Sequence, residues 1–397
     1  MQGLTQSEVL QLLRSLLPAE LALARQQEGA EEPIDGAALT AQTRLDQPPL
    51  RLDSLERLNL AGTLNRFFCL HETGVEDRLL AQRQLGDWAA LIAEASARTS
   101  GLVFSTSGST GEPKPHHHSW AALRQEGEVL AETLGPHRRV IAWLPVHHLY
   151  GFMLGVAAPR ALGAEVLEAH EAPAALAGDR RPGDLIATVP ARWRYLADSG
   201  RPFAAGSTGV SSTAPLEQGL RQRLLEAGLG GLAEIYGATE TGGVGVRWAP
   251  ETAYRLLPHW ERGSHGSLRR LLPDGATLSF APLDRLEWLE ARTFRPAGRL
   301  DGVVQVGGVN VSPERVAERI RGHEAVADCA VRPFGEGSRQ RLKAFIVPAD
   351  GQADREALRE ALTEWLWESL PAAERPIRLS FGERLPRNEL GKLQDWD

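Results

Sequence analysis

Gly101-Leu102-Val103-Phe104-Ser105-Thr106-Ser107-Gly108-Ser109-Thr110-Gly111-Glu112-Pro113-Lys114 is the stretch that decides the reading of this chain. The apolar run Gly101–Phe104 predicts a buried strand. Glycines, hydroxyls and a lysine then crowd together. Glycine permits the turns that aim successive backbone N–H groups at one point. Such a nest binds an anion, and the hydroxyls and Lys114 add donors and positive charge. The loop predicts a phosphate site, that of a nucleotide. It is not the common nucleotide loop, which needs four residues between its glycines and then Lys-Ser/Thr. Gly108 and Gly111 are separated by two residues, and the lysine follows Pro113. A solvated Ser/Gly linker is the bland alternative, but linkers rarely place Pro-Lys after a strand signal.

Further segments follow in order. Leu144-Pro145-Val146-His147-His148-Leu149-Tyr150-Gly151-Phe152 sets two histidines among apolar residues, with no Cys or carboxylate at ligand spacing for zinc. His148 reads as a packed pocket histidine. His116-His117-His118 reads as a polar surface or a helix entry. Gly209–Leu216 is a small-residue turn, equally consistent with an ordinary strand-to-helix turn. Glu234-Ile235-Tyr236-Gly237-Ala238-Thr239-Glu240-Thr241-Gly242-Gly243 combines an aromatic, a hydroxyl and a carboxylate in a glycine-rich loop. Asp284 opens Leu283–Trp288, and Gly298-Arg299-Leu300-Asp301 and Val306–Pro313 follow. Leu385-Pro386-Arg387-Asn388-Glu389-Leu390-Gly391-Lys392 closes the set.

In this order the segments resemble the adenylate-forming superfamily of acyl- and aryl-CoA synthetases and adenylation domains. The resemblance spans roughly 101–397. It implies a layered α/β body over 97–298 with a small mobile α+β C-terminal domain over 299–397. It implies that Thr106, Ser107, Gly108, Ser109, Thr110, Gly111 and Lys114 hold ATP phosphates. Tyr236 would lie on adenine, Thr239 on phosphate, and Glu240 on Mg²⁺, a hard ion that shares oxygen ligands with substrate phosphates. His148 takes the histidine position at the mouth of the acid pocket. Asp284 would meet the ribose, with an exposed strand-start aspartate as the alternative. Arg299 would reach ribose or phosphate, and Asp301 would be the pivot. Gly307 and Gly308 would line a pantetheine tunnel. Lys392 would bridge the substrate carboxylate and the α-phosphate. The departures are Pro115 after the loop lysine, no Thr-Gly before Asp284, Arg315 and Ala317 where a carboxylate is expected, and a short region ahead of the loop.

Residues 1–96 predict helices. Thr5-x-x-Glu8 is a capping-box pattern ahead of Val9, Leu10, Leu12, Leu13, Leu16 and Leu17. Residues 28–50 read as a long loop. A second helix runs from Asp53-Ser54-Leu55 through Leu64, Phe67 and Phe68, and a shorter one covers Leu85–Ala95. This layout resembles an acyl carrier protein, whose phosphopantetheine serine falls on Ser54. The glycine usual before Asp53 is missing, and a plain helix cap is the alternative. A bare Ser54 would make this region a relic or a structural substitute for the family's missing N-terminal half.

The 397 residues, 42% hydrophobic and 24% charged, argue for a globular chain of two or three domains. A net charge of −7 gives no preference for nucleic acid or anionic membrane. Two distant cysteines, no signal pattern and no long apolar run point to the cytoplasm.

The leading expectation is an ATP-dependent carboxylate ligase that forms an adenylate and passes the acyl group to a thiol. The acceptor is CoA or the phosphopantetheine of a carrier protein or domain. Small residues at Ala238, Gly242, Gly243 and Gly245 leave room for a flat ring, so aryl or cinnamate-like acids are favoured over medium-chain fatty acids. The competing class is a non-catalytic nucleotide-binding or carrier-interacting protein with a decayed ligase core.

Overall fold

A computed structural model describes residues 3–26, 34–106, 114–299, 302–335, 339–349, 355–386 and 393–396. Its front is helical. Thr5 and Glu8 form the expected capping box: Glu8 Oε2 accepts from Thr5 N at 2.7 Å, and Thr5 Oγ1 accepts from Glu8 N at 3.3 Å. They open α1 (Gln6–Gln26), which buries Val9, Leu12, Leu13, Leu16, Leu17 and Leu21 along one stripe. Asp53 and Glu56 make a second capping box at the start of α2 (Ser54–Phe67). There Leu60, Leu64 and Phe67 are buried while Leu55 and Leu58 stay exposed. A short α3 (Glu76–Ala81), which the sequence reading missed, precedes α4 (Leu85–Ser96).

These helices do not form the carrier-like unit expected of residues 1–96. Leu12, Leu13, Trp88 and Ile92 share one buried core with Phe104, Val140, Phe152 and Phe294. Polar ties repeat the pattern. Gln11 Nε2 donates to Gly155 O at 3.3 Å, and Arg14 meets Glu168 at 3.1 Å. Arg160 grips the Glu8 carboxylate and donates to Gly3 O at 3.0 Å. A carrier domain closes around its own core, whereas these helices bury their apolar face against the body.

The glycine-rich stretch lies between two strands, β1 (Gly101–Thr106) and β2 (Lys114–Ser119), paired antiparallel with Thr106 opposite Lys114. The His116–His118 run is therefore strand, not a helix entry. Ser119 then caps α5 (Trp120–Leu134) by accepting from Ala122 N at 3.3 Å.

The main sheet takes β3 (Arg139–Ala142), β4 (Glu165–Leu167), β5 (Leu185–Thr188), β6 (Thr208–Ser211), β7 (Gly231–Ala238), β8 (Gly242–Trp248) and β9 (Tyr254–Leu256). A small antiparallel sheet, β10 (Trp260–Arg262), β11 (Leu268–Leu271) and β12 (Thr277–Phe280), follows before β13 (Asp284–Glu290) and β14 (Thr293–Arg299) rejoin the main one. Among the described residues the main order is β13-β14-β9-β8-β7-β6-β5-β3-β4. From β4 to β7 neighbours run parallel; beyond β7 they alternate. Every residue of β3 and β5 is buried, as a parallel sheet covered on both faces requires.

One face carries Val140, Leu185, Val210 and Ala233 in the core that also takes in the front-end helices. The other carries Ile141, Ile186 and Leu232. They pack on Trp193 and Leu196 of α9 (Pro190–Asp198) and on Leu220 and Leu224 of α10 (Gln218–Glu226); α6 (Leu149–Phe152), α7 (Ala158–Leu162) and α8 (Ala172–Gly178) complete this part of the chain. A π turn, Met153–Ala157, joins α6 to α7, and Gln11 supplies its donor to a carbonyl within that turn.

The C-terminal unit has its own core. It comprises a hairpin of β15 (Val304–Val306) and β16 (Val309–Val311), and α11 (Pro313–Arg321) and α12 (Arg355–Ser369) on a sheet of β17 (Val326–Phe334), β18 (Arg341–Pro348) and β19 (Pro376–Phe381). The expected α/β body and small α+β unit are both present. Among the described residues no helix is long and apolar enough to cross a membrane.

Candidate active site

The site forms where the parallel half of the sheet gives way to the antiparallel half. Tyr236 leaves the end of β7 with its ring near Tyr254 (5.6 Å between centroids) and Phe294 (5.3 Å). Its hydroxyl donates to Asp284 Oδ2 at 2.6 Å. Asp284 opens β13 directly opposite Arg299 on β14. Three candidates from distant segments thus come together, Tyr236 with Asp284 by a side-chain hydrogen bond and Arg299 with Asp284 by strand pairing.

Thr239 and Glu240 occupy the tight turn between β7 and β8, both half-buried. This turn is held from several sides. His118 of β2 donates Nε2–H to Thr239 O at 2.7 Å. Arg270 of β11 donates to Thr241 O at 3.0 Å. Glu126 of α5 accepts from Gly243 N at 2.7 Å, and its other oxygen lies 3.2 Å from Arg270. Burial pushes the Glu126 carboxyl up, against the opposing pull of Arg270. Burial pulls His118 down to about 4, so its ring is neutral at physiological pH. His118, Glu126 and Arg270 were missed by sequence reasoning. The available signal for Glu126 was a carboxylate on the otherwise apolar stripe of α5.

Gly242 and Gly245 of this hairpin do not leave an open slot for a ring. A Cβ on Gly242, whose φ is +75°, would stand 2.3 Å from Glu126 Oε2, and one on Gly245 would stand 3.0 Å from Phe294. Gly242 and Gly245 are glycines because the protein's own side chains fill that space.

The Gly209–Leu216 turn sits beside β7. Ser212 Oγ donates to Ile235 O at 2.8 Å, and Thr213 holds a left-handed φ of 74°, an uncommon conformation for a β-branched residue. Gln305 of the C-terminal unit donates to Thr213 O. Just beyond it, Gly307 and Gly308 turn between β15 and β16 at φ of 60° and 86°, exposed, with open space where side chains would stand.

His148 is exposed at the start of α6 rather than packed. The packed ring is its neighbour His147, which shares a 2.7 Å hydrogen bond with Ser15 of α1 and is pulled down to about 3 by burial and then by His148. Lys114 is exposed at the start of β2, and Thr106 pairs with it across the hairpin. Ser54 is exposed in the first turn of α2. Ser107, Gly108, Ser109, Thr110, Gly111, Asp301 and Lys392 lie outside the described residues. The residues flanking the last candidate are joined by a 2.7 Å bond from Gln394 N to Pro386 O.

The Thr239 hydroxyl and the Glu240 carboxylate are hard oxygen donors, the type that Mg²⁺ takes. No group of three or more His, Cys, Asp or Glu converges among the described residues. That donor set fits an ion that draws its remaining ligands from phosphates and water.

The profile of the AMP-binding enzyme family matches residues 60–274, and that of the AMP-binding enzyme C-terminal domain matches residues 315–392. The chain is 64% identical to a 4-coumarate–CoA ligase of Halorhodospira halophila, over 99% of this chain and 100% of that protein. It is 40% identical to a 4-coumarate–CoA ligase of Rhodobacter capsulatus, over 98% of this chain and all of that one. In fold it is similar to o-succinylbenzoate CoA synthetase of Bacillus subtilis, with a TM-score of 0.58 and 18% identity over 84% of this chain and 80% of that one. The chain belongs to the AMP-binding enzyme family, the adenylate-forming ligases. It is an acid–thiol ligase of the AMP-forming type, which activates a carboxylic acid as its adenylate before transfer to a thiol.

Proposed function

We propose that the acid is 4-coumarate or a close cinnamate-like relative, and that the acceptor thiol is CoA. The names of the 64% and 40% identical relatives support both choices. The geometric observation that carries the site reading is the Tyr236–Asp284 hydrogen bond, which joins the adenine-side aromatic to the ribose-side carboxylate. Tyr236 offers its ring to adenine and fixes one Asp284 oxygen, leaving the other to accept from a ribose hydroxyl.

In the first half-reaction a carboxylate oxygen attacks the α-phosphorus of ATP, and the bond to pyrophosphate breaks. Loop residues 105–114 hold the phosphates through backbone N–H groups and hydroxyls, and Thr239 adds a hydroxyl. Glu240 would hold Mg²⁺, which supplies charge neutralisation on the phosphates when bound. Lys392 bridges carboxylate and α-phosphate, so its role is electrostatic and positional. In the second half-reaction the CoA sulfur attacks the acyl carbon and AMP leaves. Rotation of the C-terminal unit about Asp301 exchanges Lys392 for the Gly307–Gly308 turn, which borders the pantetheine arm. The division 97–298 and 299–397 follows from this pivot. Buried free thiols at Cys69 and Cys329 fit a reducing cytoplasm.

ATP–pyrophosphate exchange over a panel of aryl and aliphatic acids tests the reading. Exchange should be strongest with 4-coumarate. A maximum with a medium-chain fatty acid would replace the substrate class, and no exchange with any acid would indicate a decayed core. Intact mass after treatment with a phosphopantetheinyl transferase tests the acceptor. Unchanged mass is expected; added mass that Ser54→Ala removes would restore a carrier arm at Ser54.

A further inference from the structure

We infer that His118 is a positioning residue for adenylate formation: its bond to Thr239 O locks the turn bearing Thr239 and Glu240 to the hairpin bearing the phosphate loop. The inference rests on the proposed roles of those two residues. On β2, strand alternation puts Lys114, His116 and His118 on one face. His118 is the buried member of the three, 5% exposed. Its ring meets Phe104 edge-on at 5.9 Å, and Phe104 in turn packs on Phe67 (5.4 Å) and Phe152 (5.6 Å). The apolar core of the front-end helices therefore fixes the ring, and the ring fixes the turn.

The far end of the same turn is already secured. Arg270 donates to Thr241 O at 3.0 Å, and Glu126 accepts from Gly243 N at 2.7 Å. Both side chains are 2% exposed. These clamps hold residues 241–243 whether or not His118 is present. The near end, at Thr239, has His118 as its tie to β2. Removing that donor leaves the fold clamped but lets the Thr239 hydroxyl and the Glu240 carboxylate drift relative to the phosphates. A displacement of about 1 Å can cost on the order of a hundredfold when charge must be met at a fixed point. His118 acts through the Thr239 carbonyl, and its effect belongs to the step that uses ATP.

The test compares His118→Leu, which keeps bulk and loses the donor, with His118→Gln, which keeps a donor on a flexible amide. Calorimetric affinity for Mg·ATP, thermal midpoint, ATP–pyrophosphate exchange with 4-coumarate, and transfer to CoA from supplied 4-coumaroyl-adenylate are read on each. For His118→Leu, the Mg·ATP affinity and the kcat/KM for ATP in exchange should fall about tenfold or more. The KM for acid and the rate of CoA transfer should stay within about twofold, and His118→Gln should recover most of the loss. Unchanged Mg·ATP affinity would overturn the inference. So would equal losses in both half-reactions that Gln does not relieve, since that is what a packing role alone gives. Wild-type protein that binds Mg·ATP but exchanges with no acid would refute the proposed ligase activity, while the affinity comparison would still decide the role of His118.

Discussion

The Tyr236 hydroxyl donates to Asp284 Oδ2 at 2.6 Å across 48 residues of sequence, joining the end of β7 to the start of β13. Tyr236→Phe keeps the ring beside Tyr254 and Phe294 and removes the bond. A hydrogen bond to a charged acceptor contributes about 1.5–3 kcal/mol, so the KM for ATP should rise about tenfold or more, with the KM for acid little changed. Asp284→Asn should give a similar rise. Initial-rate exchange at varied ATP measures both.

Lys392→Ala should abolish adenylate formation and leave CoA transfer from a supplied adenylate largely intact. Separate assays of the half-reactions read this directly. Equal loss of both would refute the exchange of Lys392 for the Gly307–Gly308 turn.

Glu126 and Arg270 form a buried pair, each side chain 2% exposed. Glu126→Ala strands the Arg270 cation and frees Gly243 N. Breaking such a pair on one side costs about 3–5 kcal/mol. Urea unfolding of Glu126→Ala should show that loss, with Glu126→Gln losing less because its amide oxygen still accepts from Gly243 N.

Leu13 is fully buried in the core that α1 shares with the sheet body. Leu13→Ala should cost about 2–5 kcal/mol. Because the core is shared, the main body should unfold with α1 rather than after it. A separate early transition confined to the front end, followed by fluorescence and far-ultraviolet dichroism in urea, would contradict the single core.

Burial pulls His118 to about 4, and His147 and His259 to about 3. Each ring is neutral when folded and takes up a proton on unfolding below about pH 6.5. Their contribution to stability is therefore complete above about pH 6.5 and is lost as pH falls toward 4 and then 3. Each adds up to about 1.4 kcal/mol per pH unit to the acid slope of stability. Replacing His259 with Gln should make the slope between pH 6 and 4 shallower, measured by denaturation at fixed pH steps.

Much of this site was legible from local order. A turn that must bend on glycine, a helix capped by its own third residue, and a Thr-Glu pair after an aromatic are short-range features. Thr5 with Glu8 therefore declared itself by spacing, and Tyr236, Thr239 and Glu240 stood out as a match to a family motif. The weakest assignment, Asp284, lacked its usual neighbours in sequence, and its partners emerge only in the fold, Tyr236 by a side-chain hydrogen bond and Arg299 by strand pairing. The reading of small residues as room for a ring failed at Gly242 and Gly245, because what fills the space beside a glycine comes from elsewhere in the chain.

Residue identity by itself determined the family, the order of its motif segments and the helical nature of the front end, because each depends on patterns a few residues long. Tertiary structure alone decided that the front-end helices belong to the body's core. It also decided that His118, 121 residues from Thr239, and Glu126, 117 residues from Gly243, hold the Thr239–Glu240 turn. Those contacts depend on which strand lies beside which, and strand order is set by how the apolar faces of all the elements are buried together.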